Sequence, residues 1–234
     1  MPRKIRLALF DVDGTLISAG GAGRLAIERA WLAAYGIRQA AEGIDFGGRT
    51  DASLIEELYR THGLAQDPDR HALFELAYPH LLAEYLGRVE GRCLAGSREL
   101  LRSLRLDAPG VVVGLLTGNS RLAAEIKLRH FDLWDAFVLG AYGDDDGCRN
   151  RLASLAKIRA ERYLGRQIEG EEVVVVGDTI YDVECAQSIG AGSLAVTSGS
   201  GSFEALRKAG ASTVVRSLSE VSVDRFVEGR WSAI

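Results

Sequence analysis

Cysteine is scarce in this 234-residue chain: Cys93, Cys148 and Cys185 are an odd number with no C-x-x-C spacing. That pattern supports neither a disulfide framework nor a cysteine-rich zinc site, and reduced thiols in a cytoplasmic protein are the expectation. The four histidines, His62, His71, His80 and His130, show no zinc-type pairing. Positive charge is not in excess either. Lys and Arg number 28 against 32 Asp and Glu, for a formal net charge of −4. No basic field is available to nucleic acid, so a bound anion must be held by a local site. No apolar run approaches the roughly 20 residues that span a bilayer. The basic start at 1–7 meets Asp11 and Asp13 at once, which is not the pattern of a signal peptide. A G-x-x-x-x-G-K-[ST] loop is also missing, which removes nucleotide triphosphatases of the P-loop type.

What is present is an ordinary globular composition, 47% hydrophobic and 26% charged. Short apolar runs at 5–10, 111–116, 136–139, 173–176, 193–196 and 213–215 read as buried strands. Helical segments at 121–130, 152–164, 181–189 and 203–209 alternate with them, which predicts a parallel sheet with helices on both faces. From about 17 to 86 there is no convincing strand. Residues 25–35 are apolar at helical spacing and stop at Gly36; Leu54, Ile55 and Leu58 mark a second helix, started by Thr50 or Asp51 and stopped by Gly63. A third helix covers 70–86, with a kink or break expected at Pro79. The expected organisation is an α/β core, 1–16 plus 88–234, with an all-helical insert at 17–87. The G-x-G-x-x-A run beginning at Gly21 comes too late after the first strand for a dinucleotide fingerprint and reads as a hinge into the insert. Asp144, Asp145 and Asp146 read as a solvated turn, and Trp31, Trp134 and Trp231 as packing residues.

Three motifs follow strand ends. The first is Asp11-Val12-Asp13-Gly14-Thr15-Leu16. Carboxylates two residues apart in extended chain point the same way. At about 4 Å they repel by roughly 1 kcal/mol in water and about 4 at an effective dielectric of 20, so the pair needs a cation, a shared proton or solvent. Taken alone, D-x-D-G also describes a turn with a helix cap. The second motif is Thr117-Gly118-Asn119, a hydroxyl and an approachable backbone N–H before a helix start; an N-cap turn would look the same. The third is Gly177-Asp178 after four valines, with Asp182 four residues on. Strand ends of an open parallel sheet share one edge, where ligands bind.

The order and content of these motifs resemble those of the haloacid dehalogenase-like superfamily, over nearly the whole chain. The resemblance implies a Rossmann-like core and a magnesium-dependent phosphatase acting on a small-molecule phosphate ester. By it, Asp11 is the nucleophile and becomes an aspartyl-phosphate, while Asp13 is the general acid and base. Thr117, Gly118 and Asn119 would hold phosphate. Asp11, the Asp13 backbone carbonyl and Asp178 would bind Mg2+, with Asp182 acting from the ligand shell or behind it. The family's further cation is normally a Lys; here Arg149, Arg151 and Lys157 stand in the region, with Arg151 preferred for opening a helical run and Lys157 second. A helical insert after the first motif is similar to the cap of phosphoglycolate phosphatase-like enzymes. In such enzymes a loop resembling Gly47-Gly48-Arg49-Thr50 reaches the site, and Arg49 is the candidate for an anionic substrate group; an exposed Arg at a helix start is the other reading. A phosphomutase would share every motif, whereas a 2-haloacid dehalogenase would not need Asp13 or Asp178. A receiver-type signalling module would lack both the insert and Asp13. A monomer or homodimer, without nucleic-acid or membrane partners, completes the expectation.

Overall fold

The computed structural model describes residues 4–229. Six parallel strands form the central sheet: β1 (Leu7–Phe10), β4 (Val112–Leu116), β5 (Leu139–Ala141), β6 (Val173–Gly177), β7 (Gly192–Val196) and β8 (Thr213–Val215), in the order β5-β4-β1-β6-β7-β8. β1 lies between β4 and β6, with Leu7 in register with both Val112 and Val173. All residues of β1, β4 and β6 are buried, which is why these strands are written as continuous apolar runs. Alternate residues feed opposite faces. Leu7, Leu9, Val173 and Val175 pack under Leu152, Ala153, Ala156 and Ala186 of α6 (Arg149–Leu164) and α7 (Ile180–Ser188). Ala8, Phe10, Val174 and Val176 face α4 (Ser97–Asp107), α5 (Arg121–His130) and α9 (Val223–Val227). The result is a three-layer α/β sandwich of Rossmann-like type.

After β1 the chain leaves the sheet and forms three helices: α1 (Ala22–Tyr35), α2 (Asp51–Thr61) and α3 (Pro68–Leu86). Trp31 is fully buried among them, stacked on Tyr35 at 4.4 Å and edge-on to Phe74 at 5.8 Å. Outgoing and returning chain pair as a two-stranded antiparallel ribbon, β2 (Ile17–Ser18) with β3 (Arg92–Cys93). A short helix, α8 (Phe203–Lys208), joins β7 to β8.

Several elements differ from expectation. α3 runs unbroken through Pro79. The strand expected at 136–139 lies at Leu139–Ala141, because Trp134–Ala136 forms a 3-10 turn first. α1 starts at Ala22, and α4, α9 and the ribbon were not anticipated. Trp134 is partly buried against the core; Trp231 falls outside the described residues. Among the described residues no helix is long and apolar enough to cross a membrane.

Candidate active site

β1, β4 and β6 end side by side, and the residues that follow them meet at one rim. Asp11 continues the β1 ladder for one more bond, its N–H donating to Val176 O at 2.9 Å. Gly14 then turns the chain at φ +81°. A Cβ there would sit 2.6 Å from Asp178 Cγ, so only glycine lets the first motif lie against the third. One carboxylate oxygen each from Asp11, Asp178 and Asp182 falls within 4.8 Å of the others, and all three residues are buried. The position of Asp182 follows from helix capping. Its Oδ2 accepts from Thr179 N (3.0 Å) and Thr179 Oγ1 (2.7 Å), the capping box of α7. Asp178 accepts from Thr15 Oγ1 (3.3 Å) and Ser200 N (2.8 Å).

Arg149 is the cation of this cluster. It bonds Asp182 Oδ1 and lies 3.6 Å from Asp11 Oδ1, and its side chain is only 9% exposed. Arg151, preferred on sequence, is not brought to the site. Its side chain is 72% exposed and pairs with Asp146 at 2.7 Å. α6 begins at Arg149, so Arg149 is on the first turn at the sheet edge, and two residues on is a rotation of about 200° toward solvent. Lys157 lies about 12 Å further along the same helix, 3.8 Å from Glu161.

Electrostatics follow from this packing. Burial, then Asp182, push the Asp11 carboxyl well above the usual carboxylate range, with Asp178 and Asp13 adding to the shift and Arg149 opposing it. Burial and Asp182 likewise raise Asp178 to about 6, against its bonds from Ser200 and Thr15. Burial alone would lower Arg149, but Asp182 and Asp11 outweigh it and hold the guanidinium charged. With all three ionised, the buried carboxylates against one guanidinium would carry a formal excess of two negative charges, and the donors are hard oxygens. That set fits a magnesium ion.

Thr117, after β4, is fully buried. Its Oγ1 accepts from Asn119 N (3.3 Å) and Nδ2 (2.9 Å), which leaves the hydroxyl proton to give to an anion. The loop from the helical segment closes on this motif. Asp51 N–H donates to Gly118 O (2.7 Å), and Ser120 N–H donates back to Asp51 Oδ2 (2.7 Å). Arg149 Nη1 donates to Gly48 O at 3.2 Å. Gly118 lacks a side chain because the Arg49 carbonyl occupies the space a Cβ would take. Arg49 lines the same cavity, but its guanidinium is bound by Glu57 and by Ser53 O. The cavity, about 550 Å³, is lined on the sheet side by Asp11, Asp13, Thr117, Arg149 and Asp178. Three lining cations were not singled out on sequence, Arg24, Arg92 and Lys127, and of these Lys127 bonds Asp13. A mid-helix lysine ordinarily reads as a solvated face, so no local signal marked it.

The chain matches the family model of haloacid dehalogenase-like hydrolases over residues 5–190. It belongs to that family. This hydrolase resembles several solved structures across almost their whole length. CbbY from Rhodobacter sphaeroides in complex with phosphate is 21% identical, with a TM-score of 0.71, over 92% of this chain and 96% of that one. A variant of CbbY in complex with xylulose-(1,5)-bisphosphate gives 20% and 0.72, over 93% and 96%. A predicted phosphoglycolate phosphatase from Haemophilus somnus 129PT gives 18% and 0.68, over 92% and 96%. Identities at this level speak for the fold. No curated protein matches in sequence.

Proposed function

We propose that this hydrolase is a magnesium-dependent phosphatase that cleaves a small-molecule phosphomonoester through an aspartyl-phosphate on Asp11. The observation that carries the reading is the cluster of three buried carboxyl groups, Asp11, Asp178 and Asp182, on a single guanidinium, beside the free hydroxyl proton of Thr117. A divalent ion is needed before a phosphate dianion can approach that group. Asp11, Asp178 and the Asp13 carbonyl would hold magnesium, with Asp182 steadying Arg149 behind them; the ion would neutralise charge on the nucleophile and phosphate.

In this reading Asp11 Oδ forms the new bond to phosphorus as the bond to the ester oxygen breaks. Asp13 gives that oxygen its proton, so the alcohol leaves neutral. Asp13, now a carboxylate, takes a proton from water as the water attacks phosphorus, and inorganic phosphate departs with Asp11 restored. Thr117 Oγ1, the backbone at Gly118 and Asn119, and Arg149 hold the equatorial oxygens. Residues 17–87 act as the cap that keeps bulk water out. A 550 Å³ cavity is roomier than a two-carbon leaving group needs. Of its charged lining residues, Arg92 alone has no side-chain hydrogen bond or ion pair among the described residues, so it is available to an anionic leaving group.

Phosphate release from a panel of phosphomonoesters, with and without chelator, tests the reading. Turnover is expected only with magnesium, and Asp11→Asn is expected to abolish it without loss of folding. Near-normal rates in that variant would remove Asp11 as nucleophile. Turnover that requires a sugar-phosphate acceptor would make the enzyme a phosphomutase.

A further inference from the structure

Lys127 is 6% exposed, an uncommon place for a lysine, and its burial is explained by what it touches. It lies in the second turn of α5, and side chains there lean back toward the helix start, here the rim of the sheet. Its Nζ lies 2.6 Å from Asp13 Oδ2 and 2.5 Å from Asn119 Oδ1. That second contact fixes the Asn119 amide, whose Nδ2 then donates to Asp13 Oδ2 (2.8 Å) and to Thr117 Oγ1 (2.9 Å). Gly23, in the first turn of α1, closes over the ammonium: a Cβ there would stand 3.7 Å from Nζ.

The two partners differ in exposure. The Asp13 side chain is 41% exposed, so by itself it would sample several rotamers in water. An exposed ion pair would do little to stop that. This pair is different because Lys127 is buried and Asp13 is its one anionic hydrogen-bond partner among the described residues. Letting go would strand a charge away from water. Both bonds fall on Oδ2, and no hydrogen bond to Oδ1 is present among the described residues, so Oδ1 is the oxygen left to exchange a proton. Both donors belong to the sheet side of the molecule, to α5 and the loop after β4.

We propose that Lys127 is a positioning residue for Asp13. It pins Oδ2 through a direct ion pair and through Asn119, so that Oδ1 faces the ester oxygen. The inference rests on the acid/base role of Asp13, and the experiment separates the two. The measurement is kcat/KM, which ends with phosphoryl transfer to Asp11, on two substrates. One is an alkyl phosphate, whose alcohol needs a proton to leave; the other is p-nitrophenyl phosphate, whose phenolate does not. Lys127→Met is expected to lose about 100-fold on the alkyl ester and under about tenfold on p-nitrophenyl phosphate. Lys127→Arg is expected to recover part of the alkyl activity. The ratio between substrates on one preparation cancels any loss of folded protein. Asp13→Asn is the control. If it discriminates between the substrates and Lys127→Met loses equally on both, the positioning role is overturned while that of Asp13 stands. If Asp13→Asn does not discriminate, the acid role falls and the inference with it.

Discussion

Arg149 shows how much one buried charge controls at this rim. With 9% of its side chain exposed, it is the guanidinium that Asp11 and Asp182 share. Arg149→Ala would leave those carboxylates uncompensated. It is expected to lower kcat/KM by over about 100-fold and to cost about 3–5 kcal/mol in denaturant unfolding. Arg151→Ala, cutting a surface pair, is expected to stay within about 0.5 kcal/mol and to keep its activity. Asp11, Thr117 and Asp178 were legible because each follows an apolar run that ends on turn residues. The cations were not legible in the same way. Which of two arginines two positions apart faces inward depends on the first residue of α6, and helix starts are uncertain by that much in a sequence. Lys127 was hidden because its partners, Asp13 and Asn119, stand 114 and 8 positions away in the chain.

At the level of elements, the valines of β6 announced a buried strand, and the break in strand periodicity after Leu16 announced the helical segment. β5 is three residues long with glycine in the middle, too little for periodicity to place. α4 buries only Leu100, Leu101, Leu104 and Ser97 among charged neighbours, a narrow stripe that is easily passed over. In α3, proline chemistry predicted a kink or a break, and packing carries the helix on without a break: Phe74, Tyr78, Leu82 and Leu86 bury one continuous face on both sides of Pro79. Pro79 still removes the N–H that would meet the Glu75 carbonyl. Pro79→Ala is therefore expected to raise stability by about 1 kcal/mol or more, read as a higher Tm.

For the molecule as a whole, three buried carboxyl groups at one sheet edge, with Asp11 and Asp178 raised above the usual carboxylate range, make a group whose ionised form a divalent cation would stabilise. Magnesium is expected to raise the Tm. At 100 times its Kd the gain is about 2.7 kcal/mol, and chelator reverses it. Asp178→Asn, which removes one carboxylate from the group, is expected to unfold at the same temperature with and without magnesium. An unchanged Tm in the parent protein under both conditions would count against a metal site.

The exchange between Asp51 and the loop after β4 has a further consequence for anyone recombining this protein with its relatives. The amide of Ser120, just ahead of α5, is stoppered by a carboxylate borrowed from another part of the chain, and the Gly118 carbonyl is satisfied by that part's backbone. A chimera that imports a foreign helical insert must also import an acidic residue at that spot. Otherwise the graft leaves two bare polar groups next to the very loop it was meant to serve.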